Sequence, residues 1–274
     1  MPFAPKLPAH GAEIPAIGFG TSGISTSGMG DVRAEHIATA LQAGYRHIDT
    51  AWKYGTERAV GVGIRASGVP RSEIFLCTKV SHEYLHADDF ARSVDESLEK
   101  LGVDYVDLLL VHWPEKSTPL AETMGALAKA KRQGLTRHIG VANFNIAMLD
   151  EAIRLCPEPM VTLQVECHPY LDQSKVDYRV PRTRLLARGG LTNEPVLAEI
   201  AKRTGKTFAQ VALRWLTQQD IIAAIPRSSN PARIAQNIDV FDFELSDDDM
   251  RRISALKKPN GRIANPHGRA PKWD

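Results

Sequence analysis

Four ionisable side chains stand where they could act together on one small molecule. Asp49 closes the run YRHIDT, Lys79 closes IFLCTK and His112 closes VDLLLVH, while Tyr54 follows Asp49 by five residues in AWKYGTERAV. A phenol has an ordinary pKa of about 10 and is a weak proton donor near neutrality. A neighbouring ammonium stabilises the phenolate and lowers that value. A carboxylate would keep the lysine charged and in place, and a histidine could orient a carbonyl oxygen. The set therefore suits general-acid catalysis of a reaction that builds an alkoxide, with Tyr54 as the donor. Each member has an ordinary structural explanation when taken alone: Asp49 as a helix cap, Lys79 as a solvated lysine, His112 as a satisfied core histidine. Their recurrence at successive run ends favours chemistry, and Gln164 and Glu166 end a further run in the same way.

These positions are meaningful only if the runs are strands of one sheet. Strands are predicted at 16–19, 45–48, 74–78, 106–111, 137–141, 161–165 and 221–225, as short apolar runs. Helical spacing of apolar residues predicts helices at 34–43, 57–67, 89–101, 120–133, 147–155 and 208–218. Gly44, Gly68, Gly102 and Gly134 fall where helix C-caps belong, and Thr207 with Gln210 and Ser246 with Asp249 suit N-terminal capping boxes. Strand and helix alternate, which implies parallel βαβ units. The first six strands start roughly thirty residues apart, the size of one such unit. The wide interval before 221 requires one more strand near 185–192. Eight units with no linker predict a (β/α)8 barrel, one domain over 1–274, in which catalytic groups come from the C-terminal ends of strands.

Bulk properties narrow the function class. The chain has 274 residues, 43% of them hydrophobic, enough for a sizeable core. A formal net charge of +2 points to no nucleic-acid partner. Cys77, Cys156 and Cys167 are scattered and odd in number, which argues against a disulfide framework and for a reducing compartment. The opening MPFAPKLPAH has no apolar signal core, and no run approaches the roughly 18 apolar residues of a membrane span. A cytoplasmic protein without membrane contact is expected.

Two motifs invite other functions. GFGTSG at 18–23 has the G-x-G-x-x-G form, but the Ser/Gly-rich stretch after it opens no helix, as a dinucleotide fingerprint requires. HEYLH at 82–86 has the H-E-x-x-H form of a zinc protease, which would make His82, Glu83 and His86 a hydrolase centre. It falls between a strand and the next helix with little room for the long helix that chemistry needs. The expectation is a solvated loop and no metal.

The motifs DTAWKYGTERAVG (49–61), LCTKV (76–80), VDLLLVHWP (106–114), IGVANF (139–144), QVECHPY (164–170) and IPRSSNPARIAQN (225–237) together resemble the aldo-keto reductase family in order and spacing. The likeness spans nearly the whole chain except about 176–185. VPRSEIFLCTK and the ending NGRIANPHGRAPKWD look like the bacterial 2,5-diketo-D-gluconate reductase branch, some members of which reduce methylglyoxal. The resemblance implies a monomeric NADPH-dependent reductase of small aldehydes or ketones, with Tyr54 as acid and Asp49, Lys79 and His112 completing its tetrad. It implies that Asn143 and Gln164 hold the nicotinamide carboxamide and that Thr21 is a further cofactor contact. Arg227, Ser228 and Arg233 would bind the adenosine 2′-phosphate, and Asn237 the adenine. Ser229-Asn230-Pro231 reads as a helix start directly after a strand, where an anion would meet the helix N-terminus. Trp52 and Trp113 are implied as walls of the substrate pocket.

The chain departs from the family pattern at Ser22 and Ser81, where many relatives carry an aromatic, and at Ala142, where a serine is usual. The largest departure is the seventh unit. VDYRVPRTRL stands where relatives carry about seven more residues, and the only candidate strand there is 185–187. The family's tyrosine that stacks on the nicotinamide has no match; Tyr170 and Tyr178 are poor substitutes by position. The expectation is an irregular segment at 176–190, poor closure between strands six and eight, and weakened cofactor binding, arising from a genuine variant or a local shift of reading frame. A catalytically impaired NADPH-binding barrel is therefore an alternative to an active reductase.

Overall fold

The computed structural model describes residues 4–22, 32–173, 194–219 and 222–273, together with the backbone of 182–186. The chain begins with an antiparallel hairpin, β1 (Lys6–Ala9) and β2 (Ala12–Pro15), turned by His10 and Gly11 with positive φ. Among the described residues eight parallel strands follow: β3 (Phe19–Gly20), β4 (His47–Asp49), β5 (Phe75–Val80), β6 (Val106–Val111), β7 (Thr136–Ala142), β8 (Met160–Cys167), β9 (Arg182–Leu186) and β10 (Ile222–Ala224). They pair in chain order from β3 to β10. The ring closes through a parallel bridge between Ile17 and Ala224, where Gly18 N–H donates to Ala224 O at 2.8 Å and Ala224 N–H donates to Ala16 O at 2.9 Å. The helices are α1 (Ala34–Gln42), α2 (Glu57–Ser67), α3 (Ala87–Leu101), α4 (Leu120–Arg132), α5 (Ile146–Leu155), α6 (Pro195–Thr204), α7 (Phe208–Thr217), α8 (Pro231–Ile238) and α9 (Asp247–Ser254). This is the expected (β/α)8 barrel.

Alternation along the strands determines which residues enter the lumen. Ala9, Ala12 and Ile14 of the hairpin form one buried cluster with Cys77 of β5 and Leu108 and Leu110 of β6. The hairpin, which the sequence patterning does not announce, thus helps fill the barrel interior. Two residues beyond Cys77 and Leu110, the same inward register reaches Lys79 and His112. The opposite register carries Leu76, Leu109 and Val111 into the larger cluster shared with the helices. Burying such a side chain is worth roughly 1.5–3 kcal/mol, so a register slip that moved Lys79 outward would also expose or misplace several apolar neighbours.

Most elements follow the periodicity closely; β6 and α2 match the predicted bounds at both ends. The capping boxes at Thr207/Gln210 and Ser246/Asp249 both form. Gly68 and Gly102 end α2 and α3 in the left-handed conformation. The seventh unit is short, as expected: the starts of β8 and β9, at 160 and 182, are closer together than those of any other successive barrel strands. The closure is better than expected. Strand β9 pairs with β8 from Leu163↔Arg182 to Cys167↔Leu186, and with β10 from Ile222↔Arg182 to Ala224↔Arg184. The predicted poor closure is overturned because ladder bonds use the main chain, and Arg and Thr carry the same N–H and C=O groups as apolar residues. Residues 174–181 and 187–193, which hold most of the segment expected to be irregular, lie outside the described residues, as does Tyr178.

Candidate active site

The C-terminal mouth of the barrel brings the four expected side chains together. Asp49 ends β4 and Lys79 lies near the end of β5, each almost fully buried. Lys79 Nζ donates to Asp49 Oδ1 at 2.6 Å and to the Thr50 carbonyl at 2.8 Å. Gln164 of β8 donates to the other carboxylate oxygen of Asp49 at 2.8 Å. Breaking such a buried pair by removing one partner leaves an uncompensated charge, which keeps the geometry tight.

Tyr54 arrives from a different kind of element. Ala51 is extended and residues Trp52–Tyr54 form one 3-10 turn, closed by Gly55 at φ 68°. That left-handed conformation favours glycine, and the turn returns the tyrosine over the barrel mouth. Its ring centre lies 5.0 Å from Lys79 Nζ and 5.3 Å from the His112 ring, edge to face at 81°. His112 sits just past β6, its N–H donating to Val80 O at 3.0 Å. Asn143, left-handed at φ 62°, donates from its side chain to the His112 carbonyl at 2.8 Å and from its backbone to Gln164 O at 2.9 Å. A non-glycine residue held in this region marks an imposed conformation.

The electrostatics are set by burial as much as by neighbours. Burial pushes the Tyr54 phenol above its ordinary value; Lys79 opposes that shift and Asp49 adds to it, with the net direction upward. The sequence-based expectation of a lowered phenol is corrected here: the ammonium acts in the foreseen direction, but desolvation is larger. Burial alone would lower Lys79, yet Asp49, then Tyr54 and Cys77, outweigh it and hold the ammonium above its usual range. Burial, then Lys79 and Arg269, hold His112 well below the usual imidazole value. At neutral pH the mouth therefore presents a protonated phenol, a charged lysine and a neutral imidazole.

The other expected residues are distributed over several elements. Thr21 is buried, donating to the Asp49 carbonyl at 3.0 Å and bonded to Thr56 Oγ1 at 3.1 Å. Arg227 and Ser228 follow β10, while Arg233 and Asn237 lie on α8. Asn230 caps α8, accepting from Ala232 N–H at 2.9 Å and Arg233 N–H at 3.3 Å. An anion at this end would therefore be met chiefly by the arginines rather than by those two amides, a correction to the helix-terminus expectation. Trp52 donates its indole N–H to Glu96 at 3.0 Å and lies against Tyr84 and Lys100, so one side of it is committed to α3. Trp113 faces Trp273, with ring centres 6.4 Å apart at 71°. Trp273 was missed by sequence reasoning; its only signal was its place in the PKWD ending.

The zinc reading of 82–86 does not survive the geometry. His82–Tyr84 is a single 3-10 turn and His86 is the residue before α3, so the two histidines do not share a helix face. Glu83 accepts from Lys53 at 2.7 Å and from Ser81 at 2.8 Å. A cleft of about 480 Å³ opens at the opposite, N-terminal end of the barrel, lined in part by Lys6, Glu13, Arg46, Phe75, Arg137 and His138. It touches none of the four central side chains, and its charges are paired among themselves, as in Arg46–Glu73 at 3.3 Å and Arg137–Asp107 at 3.0 Å.

Comparison with known proteins agrees with this arrangement. The sequence profile of the Aldo/keto reductase family matches residues 16–183 and 179–258, so the match divides in the shortened unit. The chain is 39% identical over 271 residues to the methylglyoxal reductase DkgB of Escherichia coli O157:H7, covering 95% of this chain and 99% of that one. A solved structure provisionally assigned as a 2,5-diketo-D-gluconic acid reductase B superposes with a TM-score of 0.93 at 44% identity, covering 99% of this chain and 98% of the other. An aldo-keto reductase from Bombyx mori, solved in complex with NADP, gives a TM-score of 0.87 at 30% identity, covering 97% and 96%.

Proposed function

The chain belongs to the aldo/keto reductase family, and from that premise we propose that it uses NADPH to reduce a small aldehyde or ketone, of the methylglyoxal or 2,5-diketo-D-gluconate kind, to an alcohol. The observation that carries this reading is Lys79, bonded to Asp49 at 2.6 Å with the Tyr54 ring 5.0 Å from its ammonium. NADPH, when bound, supplies the hydride. Tyr54 donates its proton to the carbonyl oxygen as that oxygen becomes an alkoxide. Lys79 stabilises the phenolate left behind, and Asp49 keeps the lysine charged and in place. Neutral His112 donates a hydrogen bond that orients the same oxygen. Trp52 and Trp113 wall the substrate.

The chemistry of the donor set fits the cofactor. The side-chain amides of Asn143 and Gln164 suit a carboxamide, with Thr21 beside them, and the guanidiniums of Arg227 and Arg233 with the Ser228 hydroxyl suit a phosphate dianion. Asn237, nearly buried on α8, suits an adenine edge. One barrel domain carries the whole site. We also propose a monomeric state, and a cytoplasmic place of action accords with three cysteines that remain thiols; among the described residues no helix is long and apolar enough to cross a membrane.

The direct test is NADPH oxidation by the purified chain against a carbonyl panel containing methylglyoxal, 2,5-diketo-D-gluconate and nitrobenzaldehyde. Turnover of at least one is expected; cofactor binding with no turnover of any would favour the impaired barrel. NADPH is expected to bind more tightly than NADH. Arg227→Ala with Arg233→Ala should weaken NADPH by about 10–100-fold, the scale of losing charge-assisted hydrogen bonds, with little change for NADH. Equal affinity of the unmodified chain for both cofactors sinks the 2′-phosphate assignment.

The pH dependence follows from the shifted groups. Tyr54 is raised, so its protonated form persists through neutrality; His112 is lowered, so its neutral form does too. At saturating substrate, kcat for reduction should stay flat from about pH 6 to about pH 9 and fall only in the alkaline range where the phenol loses its proton. A fall in kcat with an apparent pKa near 7 contradicts the neutral-imidazole role.

A further inference from the structure

Glu166 lies one residue before the end of β8, two residues beyond Gln164, and none of the steps above uses it. It is nearly buried, yet its carboxylate is fully engaged. Oε1 accepts from the Ile263 N–H at 2.8 Å and from His168 Nε2 at 3.0 Å, and Oε2 accepts from the Ala264 N–H at 2.7 Å. Two successive backbone amides nearly a hundred residues away in sequence thus converge on one side chain. Burial would raise this carboxyl, but His168 and the two amides outweigh it and hold it below the usual range, so it is ionised at neutral pH. The Arg262 guanidinium lies 3.8 Å from Oε2 and also 3.6 Å from the centre of the Trp273 ring.

Residues 257–273 form a strap that leads from β8 to the mouth. Its base is bonded to the segment after β8: Lys257 pairs with Asp172 at 3.1 Å and the Lys258 N–H donates to Tyr170 O at 2.9 Å. Gly261 passes so close that a Cβ there would lie 1.9 Å from Tyr170 O. Its far end places Trp273 with the indole N–H on Asn265 at 3.0 Å and the Lys272 carbonyl accepting from Asn145 at 2.9 Å. Trp273 then meets Trp113 edge to face. The mechanical chain runs from Glu166 through Arg262 to Trp273 and on to Trp113.

We propose that Glu166 is a positioning residue for the substrate: it fastens the C-terminal strap and thereby sets Trp273 against Trp113 as a wall of the carbonyl pocket. This rests on the reading that Trp113 faces the substrate. The carboxylate offers a separate acceptor oxygen to each amide. A glutamine of the same size keeps one acceptor and turns an NH2 group towards the second donor.

The test uses Glu166→Gln, which conserves volume, with Trp273→Ala and the double variant. In E166Q the amides of Ile263 and Ala264 should exchange with solvent at least about tenfold faster, the scale of one charge-assisted hydrogen bond. KM for the carbonyl should rise by about tenfold, with kcat and NADPH affinity within about twofold of the unmodified chain. W273A should raise KM similarly while leaving exchange at 263 and 264 slow. The double variant should show no KM beyond that of W273A, because both act through one contact. Unchanged KM in E166Q, additive effects in the double variant, or amides that stay protected in E166Q each overturn the proposal. A chain that reduces no carbonyl at all overturns the reductase reading instead, and the exchange measurement still decides whether Glu166 holds the strap.

Discussion

Tyr54→Phe is expected to reduce kcat for aldehyde reduction by about 10²–10⁴-fold, the usual contribution of a general acid, while NADPH binds as before. The substitution removes one oxygen and leaves the ring. The edge-to-face contact with His112 and the position of the ring over Lys79 both persist, so the loss reports proton donation rather than packing. Tyr54 as a residue is half-buried at the mouth, beside the almost fully buried Asp49 and Lys79. Its raised pKa keeps the proton in place at neutral pH, and Lys79 eases the proton's release by stabilising the anion that remains. Two measurements separate the effects: single-turnover reduction at saturating substrate, and cofactor affinity by fluorescence titration. Wild-type turnover in Tyr54→Phe would falsify the assignment. A loss of cofactor binding equal to the loss of rate would instead assign Tyr54 to binding.

Lys79→Met should damage both activity and stability. The methionine fits the space of the lysine stem but leaves Asp49, almost fully buried, with no cation beside it. Removing one partner of such a pair costs about 3–5 kcal/mol, against a total stability of roughly 5–15 kcal/mol for a domain. Urea unfolding monitored by circular dichroism should show the midpoint falling accordingly. The sign of the pH dependence is defined by the lysine. Its folded pKa lies above the unfolded value, so its contribution is complete below about pH 10 and is lost as pH rises through the folded value. Turnover should fall at least as far as in Tyr54→Phe, because the phenolate loses the cation that stabilises it. Combining Lys79→Met with Asp49→Asn tests the cause. If the orphaned carboxylate is what destabilises the single variant, neutralising Asp49 should recover part of the lost stability. No recovery would point to a packing defect instead.

The alternation of strands and helices, the polar residues that close successive strands and the two predicted capping boxes were legible from residue order, because each leaves a pattern within a few residues. Period-two and period-3.6 patterns determine which face is apolar, and a capping box joins two residues three positions apart, Thr207 and Gln210. The family motifs added roles that periodicity cannot supply. Tertiary structure decided what depends on distant partners. The Gln164–Asp49 bond joins residues 115 apart and the Glu166–Ile263 bond joins residues 97 apart; neither leaves a local pattern. Ring closure at β9 went against the arginine-rich text around it, because backbone pairing depends on the positions of β8 and β10 more than on the side chains of the strand between them. The direction of the Tyr54 shift was likewise beyond the sequence. Proximity of a lysine can be guessed from strand ends, but the balance between an ammonium and desolvation is determined only when the rest of the chain has excluded the water.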